Sequence, residues 1–241
     1  GDLIEITDVI ADTHEDQVLR EATDILGEQS VQTIETMRWG IIKAGTNKFY
    51  TNAAADTDVN TPLNAGVLKK VVRALKRQNA MMITSVGKST PDFNSESVLP
   101  CYVAAGHTDL EGDIRGIAGF IDVKDYRQEV LPGEIGGIGN IRFVLSNLFS
   151  PITTGTAAKG LMVSTGGVNA DVYSLVVMAK DAWAGVALKG AFAITPTVIN
   201  PVPSKSDPLG QRGYVAWKTM QTAVILNDAW LAVVQCAATE L

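Results

Sequence analysis

Residues 12–44 read DTHEDQVLREATDILGEQSVQTIETMRWGIIKA, and this stretch predicts a single long helix. Side chains that would share a helix face recur at spacings of three and four residues. They are Val18, Ala22, Ile25 and Gln29, followed by Ile34, Met37 and Ile41. Asp12 or Thr13 can cap the first turn, and Gly45 can end the last one. At 1.5 Å per residue, about 33 residues reach roughly 50 Å. We therefore expect a spine, longer than a compact domain of this size needs.

The predicted spine is strongly acidic. Its acidic side chains are Asp12, Glu15, Asp16, Glu21, Asp24, Glu28 and Glu35, and its basic ones are Arg20, Arg38 and Lys43. A run of like charge is typical of a helix face in contact with solvent. It is also what a surface needs if it lies beside an anionic partner that must not stick to it. The sequence leaves both interpretations open.

Composition places the chain among ordinary globular proteins. It has 241 residues, 46% hydrophobic and 19% charged, and a net charge of −6. A disordered chain needs fewer apolar residues and a higher net charge. The acidic balance excludes a broad basic surface for nucleic acid, although not a local patch. The sequence holds no window of 18 apolar residues and no secretory signal at its start, so no membrane association is expected.

The order of patterns along the chain predicts an α+β fold. Residues 1–10 read as a strand, residues 46–60 as a loop, and Thr61-Pro62 as the start of a second helix. Between 81 and 199, short strands alternate with glycine-rich turns. These strands are expected at Pro100–Ala105, Ile141–Ser146, Val172–Ala179 and Gly185–Leu188, with a short helix near Asp109–Ala118.

The C-terminal part reads as a polar loop followed by two strands. The loop covers residues 200–212, and the strands cover 213–226 and 229–236. Asn227-Asp228 lies between the strands, and both residue types tolerate the positive φ of a two-residue hairpin turn. We therefore expect these two strands to form a hairpin.

The second helix carries the dense basic cluster of the sequence. Its members are Lys69, Lys70, Arg73, Lys76 and Arg77. A solvated helix face that pairs with acidic neighbours is the simpler interpretation. The alternative is a patch for nucleic acid or for an acidic partner.

No complete catalytic, cofactor or metal motif occurs in the sequence. Gly133–Asn140 resembles a dinucleotide loop, but the residues after it read as a strand, so a turn is the better interpretation. Ser85–Thr90 lacks the first glycine of a phosphate loop, and Asp56–Asn60 lacks the glycine and glutamate of a calcium loop. Cys101 and His107 have no visible orienting partner, and a helix cap is the favoured role of His107. We expect no enzyme activity, no cofactor and no metal.

The two cysteines, Cys101 and Cys236, lie far apart and belong to no C-x-x-C pair. A disulfide or a reactive thiol is one interpretation. The favoured interpretation is that both are small buried hydrophobic side chains of a protein in a reducing compartment.

Several blocks in a fixed order resemble the major capsid proteins of tailed phages, in the N-four-type capsid family. The arm Asp2–Ile10 enters the spine block Leu19–Gln29. The middle carries Gly106–Arg115 and then Leu131–Gly136 leading into Ile141–Val144, and the end carries Ser206–Lys218. The resemblance covers nearly the whole chain.

The resemblance implies the Hong Kong-97-type capsid fold. In that fold a peripheral domain is built on a spine helix, and an axial domain of mixed sheet and helices points toward the centre of each hexamer or pentamer. Residues 1–10 would be the returning strand of an extended loop. Residues 11–59 and 200–241 would form the peripheral domain, and residues 60–199 the axial domain.

The family carries an N-terminal arm and the rest of the extended loop ahead of the block that matches residues 1–10. The sequence starts after that material. We expect either a piece of a longer protein or a chain shortened by processing.

The resemblance implies a major capsid protein that self-assembles into hexamers and pentamers of an icosahedral shell around double-stranded DNA, without sequence-specific DNA binding. Expected further partners are a portal and decoration proteins, and the expected location is the virion, after assembly in the bacterial host cytoplasm. Candidate subunit contacts are Leu3, Ile4, Ile6, Asp207, Leu209, Gln211 and Arg212. Candidate DNA-facing acidic residues are Glu21, Asp24 and Glu28. The alternatives are an encapsulin-type nanocompartment shell and a soluble α+β enzyme of unknown chemistry.

Overall fold

The computed structural model describes residues 1–7, 9, 18–87, 95–125, 130–131, 133–187, 194–203, 205 and 207–240. Contacts between Cα atoms divide the chain into two compact units. The first unit is Gly1–Arg38 with Gly185–Val224, and the second is Trp39–Ala184 with Ile225–Leu241. These bounds differ from the predicted limits of the peripheral and axial domains, and that assignment of domains stays a prediction.

The described elements are three α-helices and thirteen strands. In chain order they are β1 (Asp2–Thr7), α1 (Val18–Ile42), β2 (Lys48–Tyr50), α2 (Ala65–Arg77), β3 (Ile83–Gly87), β4 (Ser95–Gly106), α3 (Glu111–Gly116), β5 (Phe120–Asp122), β6 (Glu134–Ile138), β7 (Ile141–Leu145), β8 (Tyr173–Met178), β9 (Trp183–Ala187), β10 (Thr195–Ile199), β11 (Arg212–Lys218), β12 (Gln221–Ile225) and β13 (Leu231–Cys236). The expected α+β class is confirmed.

The first unit packs α1 onto a three-stranded antiparallel sheet of order β1-β11-β10. Its small core joins Ala22 and Leu26 of α1 to Ile6, Val215 and Trp217 of the sheet. β11 is the central strand, and its burial alternates along its length, as a strand with one face on a core requires.

The predicted spine is confirmed. Its predicted packing face is confirmed at Ala22 and Ile34 and wrong at Ile25 and Met37, which are exposed. Leu26 is 4% exposed while Ile25 is 60% exposed. The buried side chains Ala22, Leu26, Ser30 and Ile34 recur every four residues, so Leu26 and Ser30 take the inward positions predicted for Ile25 and Gln29. The helix ends at Ile42, two residues before the predicted end. The predicted caps Asp12 and Thr13 lie outside the described residues.

The second unit is built on a large mixed sheet. Its strand order is β2-β13-β8-β4-β7-β6-β5, and β3 pairs with β4. All six residues of β13 are buried, as are five of the six in β8, because these two strands lie near the middle of the sheet with both faces covered. The helix α2 buries Val67, Leu68 and Leu75 against this sheet.

Four predicted local features were wrong in position or type. The second helix begins after Asn64, whose side-chain oxygen accepts a hydrogen bond from the Val67 N–H at 3.0 Å, and not at Pro62. The predicted loop 46–60 contains strand β2. The predicted strand 213–226 is two strands, β11 and β12, in different sheets. β12 pairs with β9, so the expected hairpin with the last strand does not form; Asn227 instead caps a short 3₁₀ helix.

The short helix near Asp109 and the four strands expected between Pro100 and Leu188 are present, with small shifts of their ends. In the described part of the chain, no helix is long and apolar enough to cross a membrane.

Candidate subunit interface

The three candidate contact residues of β1 differ in exposure. Leu3 is 58% exposed, Ile4 is partly buried, and Ile6 is buried in the core beneath α1. Leu3 is therefore free to meet another molecule, while Ile6 already packs inside its own chain. Asp2 anchors the start of β1, because its carboxylate accepts hydrogen bonds from the Leu3 N–H at 2.8 Å and from Gln29 Nε2 at 2.6 Å.

The loop before β11 presents the other candidate contacts on a fixed turn. The Asp207 carboxylate accepts a hydrogen bond from the Arg212 N–H at 3.0 Å, and the Arg212 guanidinium lies 3.5 Å from Glu5. Between them, Leu209 is 76% exposed and Gln211 is also exposed. A large apolar side chain held out on an ordered turn is typical of a contact point with another molecule.

Gly210 explains why this turn has one shape. Its φ is +65°, a conformation that other L-residues rarely adopt. A Cβ at this position would lie 2.7 Å from the Pro203 nitrogen and 2.8 Å from the Val202 carbonyl carbon. Only glycine fits this close approach of two backbone segments, so the turn depends on it.

The acidic candidates Glu21, Asp24 and Glu28 all lie exposed on α1. In the described part of the chain none of the three forms an ion pair, while Glu35 pairs with Arg38 at 3.1 Å. The same outer side also exposes Ile25 and Val31, at 60% and 55%. Whether this face meets DNA stays a prediction.

The basic cluster of α2 also lies on the surface. Lys69, Lys70, Arg73, Lys76 and Arg77 are all exposed, and across the described ranges none of them pairs with an acidic side chain. The expected solvated face is confirmed, but its expected acidic partners within the chain are absent from those ranges.

The catalytic alternatives find no support in the geometry. His107 Nδ1 accepts a hydrogen bond from the Asp109 N–H at 3.1 Å, so this residue is the predicted cap. Cys101 lies against the Ile83 carbonyl, and burial raises the pKa of its thiol, which disfavours a nucleophilic thiolate. Cys236 is fully buried and unpaired, and burial raises its thiol pKa as well.

The glycine-rich segment 133–140 is part of a hairpin. Glu134–Ile138 is β6, and Gly139-Asn140 is the two-residue turn into β7. Gly139 has a φ of +60°, as such a turn requires. Ser85–Gly87 belongs to strand β3, and the rest of that segment lies outside the described residues.

Among the described residues, no group of three or more His, Cys, Asp or Glu side chains is arranged to hold a metal ion. Asp56, the first residue of the rejected calcium loop, instead pairs with Lys48 and accepts a hydrogen bond from the Tyr50 hydroxyl at 2.9 Å.

The sequence did not predict how much apolar surface the chain leaves open. Beyond Leu3 and Leu209, the side chains of Leu161, Val168 and Met220 are at least 70% exposed. Leu161 follows Gly160 and Val168 follows Gly167, and these glycines were the only sequence signal for their exposure. Scattered exposed apolar residues are normal, but several this open in one chain favour a protein that is covered by partners.

Comparison with known proteins decides between the interpretations left open by this geometry. A family model described as phage capsid protein matches residues 1–234. The chain belongs to the phage capsid protein family. No curated protein sequence matches it.

Solved structures agree on the fold. The head structure of Helicobacter pylori bacteriophage KHP40 aligns with a TM-score of 0.58 at 11% identity, covering 98% of this chain and 73% of that one. The mature capsid of bacteriophage PhiM1 gives 0.57 at 14% identity, covering 98% and 69%. The SrpI encapsulin of Synechococcus elongatus PCC 7942 gives 0.57 at 10% identity, covering 99% and 74%.

These similarities confirm the Hong Kong-97-type fold, which phage capsids and encapsulins share. The family match places the chain among phage capsid proteins, so its location is the capsid of a virion and its role is structural.

Proposed function

We propose that this protein is the major capsid protein of a tailed phage and that its copies form hexamers and pentamers of an icosahedral shell around double-stranded DNA. The family match over residues 1–234 carries this conclusion. Apolar side chains held on ordered turns, such as Leu209, support it, because many modest contacts repeated by symmetry close a shell.

We propose portal and decoration proteins as further partners and the bacterial host cytoplasm as the place of assembly. The protein acts without catalysis of its own; Cys101 and His107 have structural contacts instead of a shared site.

The acidic face of α1 suits the inner wall of such a shell. Glu21, Asp24 and Glu28 would repel the phosphate backbone, so packaged DNA would not be trapped on the wall. A shell reconstruction that places these three residues on the outer surface would refute this assignment.

Negative-stain electron microscopy and nuclease protection on the purified particles test the proposal together. We expect uniform polygonal shells or their hexameric capsomers, and virions whose DNA resists nuclease. Small monodisperse particles would contradict a capsid role. DNA-free shells filled with an enzyme would favour the encapsulin alternative. The structural similarity to SrpI encapsulin is the observation behind that alternative.

A further inference from the structure

The basic cluster of α2 forms one continuous stripe. Its residues lie at positions i, i+1, i+4, i+7 and i+8 from Lys69 to Arg77. At 3.6 residues per turn these positions fall within about 120° of the helix surface, and eight residues span about 12 Å. The opposite side of α2 holds Val67, Val71 and Leu75 in the core, which fixes the stripe toward the exterior.

The stripe forms no ion pair in the described part of its own chain. None of its five cations forms an ion pair there, although the chain has 26 acidic residues. One carboxylate, Asp228, lines the hollow beside Lys70, Arg73 and Arg77. It accepts hydrogen bonds from the Thr46 N–H at 3.2 Å and the Thr46 hydroxyl at 2.6 Å and pairs with none of the five cations, so the stripe keeps an excess of positive charge. Five unpaired cations side by side repel one another, so an anionic partner would stabilise them.

Two hollows flank the stripe. A hollow of about 750 Å³ is lined by Lys70, Arg73, Arg77 and Gln78 of α2 and its cap, together with Thr46 and Asp228. A second hollow of about 560 Å³ lies between α2 and the β6–β7 hairpin. Its lining is largely apolar, with Val72, Ile138 and Ile141 below the ammonium and guanidinium groups of Lys69, Lys76 and Arg77.

We propose that the stripe and its hollows are a docking surface for an acidic segment of a second copy of this chain. The inference rests on the proposed shell function. With the five cations set apart, 15 basic residues remain against 26 acidic ones, so a neighbouring copy presents a predominantly acidic surface. The apolar hollow favours a polypeptide over DNA, because a phosphodiester backbone has no apolar side chains to place there.

This docking is heterologous, since a basic patch on one copy meets a different patch on the next, and such contacts close into rings when the rotation permits. Charge pairs at the rim of an interface act mainly on orientation and association rate, and salt screens them. The contact is therefore specific in direction yet weak enough for misplaced subunits to leave.

A charge-reversal experiment tests the assignment in assembly. The variant carries Lys70→Glu, Arg73→Glu and Arg77→Glu, and the control carries Lys124→Glu, Lys180→Glu and Lys218→Glu, which are also exposed and change the charge equally. At 0.15 M salt, we expect the first variant to need a subunit concentration about tenfold higher for half-maximal assembly, measured by light scattering. The control should stay near wild type. A second variant with Lys70→Gln, Arg73→Gln and Arg77→Gln should need a subunit concentration between those of the first variant and the control. It controls for a folding defect caused by the three glutamates.

Carbodiimide cross-linking identifies the occupant. Shells are assembled from mixed light and ¹⁵N-labelled subunits, and mass spectrometry separates links within a chain from links between chains. We expect Lys69, Lys70 or Lys76 to be joined to an Asp or Glu of the other isotope, in empty and DNA-filled shells alike. Lysines that remain unlinked in both, or that are protected only in filled shells, would overturn the proposal, the latter in favour of DNA.

The two proposals fail in different ways. If the wild type forms no shells or capsomers, the capsid function fails and the docking surface falls with it. If shells form normally from the charge-reversed variant, only the docking surface is wrong.

Discussion

At the scale of single residues, a few side-chain contacts stabilise the described turns and the core. Glu134 and Arg142 form a buried ion pair at 2.6 Å, and the second carboxylate oxygen of Glu134 accepts the Leu131 N–H at 2.9 Å. Asp113 accepts hydrogen bonds from the N–H and the hydroxyl of Thr239, which ties the C-terminal segment to α3. Such positions set local shape, and the contact surfaces depend on that shape.

The Gly210→Ala substitution should destabilise the first unit and its exposed turn. Alanine disfavours a φ of +65°, and its Cβ would clash with the backbone of Val202 and Pro203. We expect a loss of about 1–3 kcal/mol in the free energy of unfolding, measured by urea denaturation. Gly166→Ala is the control, because that position has no atom within 4 Å of a new Cβ. Equal stability of the two variants would contradict the structural role of the turn.

The Glu134→Gln substitution should cost about 3–5 kcal/mol in the free energy of unfolding, since it removes one charge of a buried ion pair. The matched change Glu111→Gln removes one of the two carboxylate partners of Arg115, near the surface, and should cost less than about 1 kcal/mol. Chemical denaturation of both variants measures the difference. A small effect at Glu134 would mean that the pair is open to water.

At the scale of elements, the sequence predicted types better than partners. The spine, the second helix and the four middle strands follow from local periodicity, which side-chain spacing records directly. The β11–β12 boundary does not, because residues 213–226 carry one strand-like pattern and the break depends on which distant strand each half pairs with. The helix face was wrong at Ile25 for the same reason: Ile25 and Leu26 are equally apolar, and only the sheet beneath selects Leu26.

Some of the candidate contacts could be predicted from local sequence, and others could not. The exposure of Leu209 follows from a polar turn, and the basic stripe follows from helical spacing. The burial of Ile6 could not be foreseen, because residues 1–7 alternate in a way that suits either an intermolecular strand or the edge of an internal sheet. The register of β1 on β11, with Ile6 opposite Gly213, settles that point.

The attachment of β1 to α1 should depend on pH. The hydrogen bond from Gln29, and then that from the Leu3 N–H, lowers the pKa of Asp2 from its usual value. A carboxyl group with a lowered pKa contributes stability above its unfolded pKa, near 4, and that contribution is lost as the pH falls through the folded value. Carboxyl NMR titration should give a lower pKa for Asp2 in the wild type than in Gln29→Ala. Identical titration curves would show that the bond is not formed in solution.

At the scale of the whole molecule, the net charge and the exposed surfaces fit an assembling subunit. The chain carries −6 overall, with Glu21, Asp24 and Glu28 exposed on α1 and its densest basic stripe exposed on α2. Within the described residues, none of these three acidic side chains and none of the five cations forms an ion pair. Open charges of both signs and open apolar side chains suit a protein whose surfaces are completed by copies of itself.

Cryo-electron microscopy of particles formed by the purified protein tests the capsid role most directly. We predict closed icosahedral shells, with this chain repeated in hexamers and pentamers and each copy showing the α1 spine and the mixed sheet of the second unit. A population of small particles of fixed size, with no capsomers or closed shells at any subunit concentration, would contradict it.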